Sequence, residues 1–376
     1  MTRPASRLPR PLHPGAWWLW ALGMATAASR TTNPLVLGLI IAVVAYVVMA
    51  RRSDAPWAGG FKAYVILGLV VIGIRVVFRM ILDGQHGATI LFTLPEIPLP
   101  EAARGISLGG PVSLEGILAA VYDGLRLATL LICVGAANVL ADPKRLLKSM
   151  PAALHEISVA VVVALTVAPQ LVASGQRIHR ARKLRGETGK RFRLVRTVVI
   201  PVLTDALDRS LLLASAMDSR GYGRTAAVPR STRTATGILV LGGLAGTCIG
   251  VYGLLDGTTP DAIGVPMLAA GMAMAWAGFV VGGRRIVRTR YRPDPWLGAE
   301  WLVALCGIAA AAVIIVGGDV AALNPSANAL EWPQLPVPAL VACAFGALPG
   351  ILAPPVASTV AVPQNRPAPT PVGASR

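Results

Sequence analysis

Gln176-Arg177-Ile178-His179-Arg180-Ala181-Arg182-Lys183-Leu184-Arg185-Gly186 reads as a cationic helix ending, and Ala216-Met217-Asp218-Ser219-Arg220-Gly221-Tyr222 repeats its logic 35 residues later. Cations in a last turn suit the negative end of a helix dipole, and a glycine just past the helix can take a positive φ. An apolar run lies directly before each ending, so the reading of this stretch decides the fold. Ile157 to Ala173 precedes the first. Val195 to Met217, interrupted by Pro201, Asp205, Asp208 and Arg209, leads into the second. If both runs crossed a membrane, the 174–196 loop with its nine arginines and lysines would lie opposite the other basic segments. The expectation is therefore two long amphipathic helices along one membrane surface, preceded by a shorter helix from Asp142 to Met150.

Composition places the rest of the chain in a bilayer. Of 376 residues, 54% are hydrophobic and 14% charged, and the mean hydropathy is +0.62; a soluble domain carries about 25% charged residues. The net charge of +17 does not read as nucleic-acid binding, because no aromatic residues interleave the cations and no nucleic-acid module is recognisable. Cys133, Cys248, Cys306 and Cys343 sit singly in apolar runs, which suits small core residues better than a disulfide or zinc framework. Arg3, Arg7 and Arg10 ahead of Trp17-Trp18-Leu19-Trp20 resemble a signal sequence, but the apolar stretch runs on through Asn33-Pro34 without a cleavage step, and the segment is read as retained.

Spanning helices need about 20 apolar residues. They are expected near 16–29, 34–50, 63–82, 114–140, 236–255, 264–282, 299–317 and 336–353, the first being either a full crossing or half of a tight hairpin closed at Asn33-Pro34. With both termini in the cytoplasm, 30 of the 35 lysines and arginines fall in cytoplasmic segments, 17 of them in 141–235. Arg30 and Arg104 alone fall outside, and Arg75, Arg79 and Arg126 lie within spans. The flipped orientation inverts this bias. The expected organisation is an all-α, polytopic plasma-membrane protein: an N-terminal membrane domain over 1–140, a cytoplasmic helical layer over 141–235, a C-terminal membrane domain over 236–353 and a Pro-rich disordered tail over 354–376.

Several constellations argue against chemistry in the chain itself. Gly186-Glu187-Thr188-Gly189-Lys190 hints at a phosphate loop, yet position 184 is leucine where glycine is needed and 191 is arginine where Ser or Thr is needed. His13, His86, His155 and His179 have no metal-ligand spacing. Asp205 and Asp208 could suggest a catalytic carboxylate pair, but Arg209 is adjacent and no second acidic motif accompanies them. Arg79 has Asp83 one turn on and Arg126 has Asp123 at i−3, so pairing explains these in-span charges more simply than transport does.

An Arg-Gly pair is an ordinary helix stop, and basic residues near a cytoplasmic leaflet are ordinary topology markers and lipid contacts. Repetition at the ends of two amphipathic helices asks for more. An arginine projecting from a helix end can make bidentate bonds to carboxylates in a groove, which lysine cannot match. Ala181-Arg182-Lys183-Leu184-Arg185-Gly186 and Ala216-Met217-Asp218-Ser219-Arg220-Gly221-Tyr222 resemble the two signature motifs of the T component of energy-coupling factor transporters, the EcfT/CbiQ family. The second fits an Ala-Met-x-x-Arg-Gly-Tyr pattern at each fixed position; in the first, Leu184 stands where the family usually has alanine. The resemblance extends to His13-Pro14, Asn33-Pro34, Leu114-Glu115-Gly116-Ile117 with Arg126 downstream, and Asp142-Pro143 before Leu146. It covers roughly 13–255 and leaves the helices after 264 without an assigned role.

The resemblance implies a non-catalytic coupling subunit without a cofactor. Arg185 and Arg220 would dock in grooves on two cytoplasmic ATP-binding subunits, with Gly186 and Gly221 allowing close approach. Motion of the two coupling helices would pass to a small substrate-binding membrane subunit importing a vitamin or metal ion. A self-sufficient carrier or membrane enzyme using Arg126, Arg75 and Arg79, and a basic segment that only holds anionic membrane lipid, are the alternatives.

Overall fold

The computed structural model describes residues 11–53, 59–82, 89–97, 108–150, 154–184, 191–221, 230–255, 261–283, 294–325 and 332–355. In chain order these form α1 (Pro14–Ser29), α2 (Pro34–Arg51), α3 (Phe61–Leu82), β1 (Ile90–Ile97), β2 (Leu108–Ser113), α4 (Leu114–Leu140), α5 (Pro143–Lys148), α6 (His155–Leu184), α7 (Arg191–Ser219), α8 (Arg230–Leu255), α9 (Asp261–Gly283), α10 (Gly298–Gly317), α11 (Val320–Leu323), α12 (Val337–Ala347) and α13 (Pro349–Leu352). The fold is all-α and polytopic. Among the described residues seven helices are long and apolar enough to cross a membrane: Pro34–Arg51, Phe61–Leu82, Leu114–Leu140, Ile157–Leu184, Thr234–Leu255, Ile263–Gly282 and Gly298–Gly317. Their apolar side chains point outward, as with Met49, Leu69 and Phe78, which suits lipid and not water.

Six of those seven match expected spans, and the other two expected spans are shorter apolar helices. α1 has 16 residues and rises about 24 Å, short of a hydrocarbon core of about 30 Å. The expected span 336–353 corresponds to the short apolar helix Val337–Leu352, interrupted at Leu348-Pro349, where proline has no N–H to continue the ladder. Ile157–Leu184, read from the sequence as an amphipathic surface helix, has the length and composition of a span. The segment between α3 and α4 also holds an antiparallel hairpin, β1 with β2, which the sequence reading had treated as loop.

Packing does not follow chain order. One compact unit joins residues up to Leu146 with those from Asp294 onward, and a second comprises Leu147–Pro293. In the first, α1 packs on α4 and α10, α2 on α4 and α12, α10 on α12, and α3 on α4. Trp20, Met24, Leu37, Ile40, Val44, Ile132 and Ile314 form its centre. The helices after Asp294, without a role from sequence, complete this core. Asn33 shows how. Its side-chain oxygen accepts from Leu35 N at 3.0 Å and caps α2, with Pro34 at the first helical position. Its amide then donates to the Ala322 carbonyl at 3.0 Å and the Gln334 carbonyl at 2.7 Å, while Thr31 Oγ1 donates to the Leu323 carbonyl at 2.6 Å. At the crossing of α1 and α10, a Cβ on Gly23 would lie 2.3 Å from Gly307 O, and one on Gly307 2.4 Å from Trp20 Cα. Only glycine fits there. α3 and α4 run antiparallel, with Gly68 against Ala128, Gly124 against Ile72 and Asn138 donating to the Tyr64 hydroxyl at 3.0 Å.

One in-span cation, Arg126, does not pair as expected. Arg126 donates to the Ser29 carbonyl at the end of α1 and not to Asp123. Asp83, the expected partner of Arg79, lies outside the described residues. Arg75 is exposed on α3, with no hydrogen bond or ion pair among the described residues. Cys133, Cys306 and Cys343 are buried as expected of core residues, whereas Cys248 is exposed on α8.

A polar cluster closes one end of this unit. Arg145, on α5, donates to the Leu12 carbonyl at 3.1 Å and pairs with Asp294 at 2.9 Å. His13 Nδ1 accepts from Gly15 N at 3.1 Å, capping α1, and its ring lies 5.2 Å from that of Trp296. Burial pushes the His13 imidazole below its ordinary value, Arg145 adding to the effect and Asp294 and Glu300 opposing it. A cap that needs Nδ1 unprotonated is complete above the ordinary value of about 6.5 and is lost as pH falls from there through the depressed folded value. Thermal unfolding in detergent should therefore come at lower temperature at about pH 5.5 than at about pH 7.5. His13→Asn keeps an acceptor without titrating and should shrink that difference; an unchanged difference would place the acid sensitivity elsewhere.

In the second unit α8 packs on α9 and α6 on α7. The α8–α9 pair approaches closely through small residues, a Cβ on Gly243 falling 2.3 Å from Ala275 N and one on Gly271 2.4 Å from Thr247 N.

Candidate functional site

α6 and α7 continue through Pro169 and Pro201 and carry the two motif endings. At the end of α6, Ala181 is exposed, Arg182 is half-buried and Leu184 is 89% exposed. Arg185 and Gly186 lie outside the described residues.

The end of α7 is visible almost to its last motif residue. Ser219 Oγ donates to the Ala216 carbonyl at 3.0 Å, Arg220 N to the Met217 carbonyl at 3.1 Å and Gly221 N to the Asp218 carbonyl at 2.8 Å. These bonds tighten the last turn and satisfy carbonyls that the helix end would orphan. Gly221 has φ 73°, the left-handed conformation expected of a glycine just past a helix. Ala216, Ser219 and Arg220 are exposed and Met217 is half-buried. The Arg220 guanidinium makes no hydrogen bond or ion pair among the described residues. Tyr222 lies outside them.

Midway, the helices are joined by polar side chains. Ser174 Oγ, on α6 and 3% exposed, donates to Asp205 Oδ2 at 2.7 Å. Arg209 Nε donates to Asp205 Oδ1 at 3.0 Å, one turn along α7, and Arg209 Nη1 reaches Gln170 Oε1 at 3.4 Å. The Ser174 and Arg209 bonds hold the Asp205 carboxyl below the usual carboxylate range. Asp205 is thus an acceptor between helices, and Asp208 is exposed. The Asp205–Arg209 spacing was visible in the sequence as an i, i+4 pair; nothing local pointed to Ser174 or Gln170.

The same contacts set the direction of packing. Gln170 meets Arg209, Ser174 meets Asp205 and Gly175 faces Val202, so rising numbers on α6 meet falling numbers on α7. The helices cross antiparallel, and their motif ends leave the crossing on opposite sides. Leu184 is ten residues beyond Ser174 and Arg220 fifteen beyond Asp205, or roughly 15 Å and 22 Å of helix. Beside the crossing lies a groove of about 500 Å³ lined by Val172, Gly175, Gln176, His179, Arg180, Val198 and Val199.

Comparison with known proteins bears on these helices. The CbiQ family model, described as "Cobalt transport protein", matches residues 5–229, a stretch holding both motif ends. The chain is similar to the energy-coupling factor transporter transmembrane protein EcfT of Leuconostoc gelidum, 30% identical over 194 residues, which cover 47% of this chain and 66% of that protein. It is similar also to EcfT of Lactococcus lactis, 28% identical over 208 residues, covering 50% of this chain and 71% of that protein. α8 to α13 lie beyond the matched family region.

Proposed function

The chain belongs to the CbiQ family of cobalt transport proteins, a multi-pass membrane component of a transporter, and on that premise we propose that it is the non-catalytic coupling subunit of an importer. Two cytoplasmic ATP-binding subunits dock on the ends of α6 and α7. Their ATP-driven motion passes through those helices to a small substrate-binding membrane subunit that carries a vitamin or metal ion. The observation carrying this reading is Arg220, exposed and without a side-chain partner among the described residues, at a helix end closed by Gly221. A partner's carboxylates would complete its five donors. Arg185 is assigned the matching role at the end of α6, with Ala181, Arg182, Leu184 and Gly186 around it, as Ala216, Met217, Ser219, Gly221 and Tyr222 surround Arg220. Two similar ends leaving one crossing on opposite sides suit two similar partners side by side.

Both termini are assigned to the cytoplasm, because that orientation puts 30 of the 35 lysines and arginines in cytoplasmic segments. The test is affinity purification of the tagged chain from its native membrane in mild detergent, with mass spectrometry of what accompanies it. One or two ATP-hydrolysing subunits and a small hydrophobic membrane protein are expected. Recovery of the chain alone, with uptake by the purified chain lost on Arg75→Ala, would favour a self-sufficient carrier, the reading to which Arg75, exposed and without a partner among the described residues, lends itself.

A further inference from the structure

We infer that Ser174, Asp205 and Arg209, assisted by Gln170, are a fulcrum that makes the motif-bearing halves of α6 and α7 into one lever. The inference rests on the coupling function proposed above and names the positioning residues for it.

Apolar packing alone does not hold this pair. Val172 is 61% exposed, Leu203 and Leu207 58%, and Leu211 and Leu212 about 70%, so much of the apolar surface faces away from the crossing. Around Val198 and Val199 the helices are separated by the open groove. What remains between them is directional. A hydroxyl donating across the crossing to Asp205, with Arg209 held by the same carboxylate and reaching Gln170 on α6, tolerates little sliding, whereas aliphatic contacts permit it. Between largely apolar helices an ionised carboxylate is costly unless hydrogen-bonded, and both Asp205 oxygens are satisfied, one by Ser174 across the crossing and one by Arg209 on α7 itself.

The prolines give this clasp a mechanical place. Pro169 and Pro201 each remove a backbone donor from their own helix and weaken it locally. Gln170 and Ser174 follow Pro169, and Asp205 and Arg209 follow Pro201, so every clasp residue lies on the motif side of both weak points. The stretches 170–184 and 202–219 are thereby tied to each other beyond the weak point of each helix. Force applied at Arg220 would reach the α6 end through Asp205 instead of dissipating in bending at Pro201.

The experiment uses the complex recovered with the chain, reconstituted in phospholipid vesicles, and reads ATP hydrolysis and substrate uptake together. Asp205→Ala leaves both motifs intact. ATPase subunits should still co-purify and hydrolysis stay within about twofold, while uptake per ATP falls about tenfold, a coupling loss and not a binding loss. Ser174→Ala, which removes one arm, should fall between. A Cβ at Gly175 would lie 3.9 Å from Val202 Cγ2, so cysteines at these two positions would face each other across the crossing. Gly175→Cys with Val202→Cys in the Asp205→Ala chain, with Cys248→Ser, should restore uptake when oxidised and lose it again when reduced. Unchanged uptake per ATP in Asp205→Ala, or a formed disulfide without recovery, would overturn the inference. If the native chain brings down no ATPase subunits, the coupling function falls instead. The clasp is then judged by disulfide formation alone, which should be several-fold slower with Asp205→Ala than with Asp205 present.

Discussion

Arg185→Glu combined with Arg220→Glu is expected to abolish recovery of ATP-hydrolysing subunits with this chain and to reduce substrate uptake to background, while the chain itself remains folded in the membrane. Arg220 is exposed, makes no hydrogen bond or ion pair among the described residues and lies just past the last turn of α7, so its replacement removes no side-chain bond among those residues. If its donors meet carboxylates on a partner, losing one buried charge pair costs about 2–5 kcal/mol, or roughly 30-fold to several thousand-fold in affinity, and reversing the charge adds repulsion. The lysine variants separate docking from lipid attraction. Lysine keeps the charge but loses the two-pronged geometry, so Arg185→Lys with Arg220→Lys should weaken docking about tenfold or more if carboxylates are gripped bidentately. Full activity with lysine at both positions would return the motifs to the status of helix stops that attract anionic lipid.

Gly307→Leu should be the most damaging single substitution within the first unit. A Cβ there would lie 2.4 Å from Trp20 Cα and 2.7 Å from Trp20 O, both backbone atoms of α1 that cannot swing away. α1 and α10 must separate, and Trp20, whose indole donates to the Gly346 carbonyl at 3.1 Å, moves with α1. In lipid, helix association depends on close packing and not on excluding water, so lost contact is not regained elsewhere. Overpacking of this kind costs about 3 kcal/mol, or about 10 °C in thermal midpoint for a unit of this size. Gly38→Leu is the control, because nothing lies within 4 Å of its Cβ position; equal shifts for the two would dismiss the glycine contact as the cause.

Where the sequence reading held and where it failed divides along one line. Asn33-Pro34 announced a helix start, because a side-chain acceptor followed by a fixed φ acts within three residues, and Asn33 does cap α2. Six spans were visible as runs of apolar residues, since crossing a bilayer is a requirement on composition and length. The α7 ending was legible because Gly221 takes its positive φ for local reasons. Arg126 was misread by the same local logic. Asp123 at i−3 was the nearest acid in sequence, but the arginine serves the open end of a different helix, at the Ser29 carbonyl. Of the candidate docking residues, Arg220 and Gly221 can be judged on geometry, whereas Arg185, Gly186 and Tyr222 lie outside the described residues and stand on the sequence pattern.

By itself the sequence determined the class of this protein: apolar helices in number, a concentration of cations between 141 and 235, and two arginine-glycine endings. These properties are set by hydropathy, charge and spacing within a turn or two of helix. Only the tertiary structure decided that helices from Asp294 onward complete the core begun by α1 and α2, through bonds such as Thr31 to Leu323 across 292 positions. Only the tertiary structure joined Ser174 to Asp205 across the α6–α7 crossing. The physical reason is that lipid-facing and helix-facing apolar surfaces have the same hydropathy. Composition can place a helix in the bilayer, but its partner is chosen by the fit of small residues and a few directional polar contacts, which become visible only once the helices are assembled.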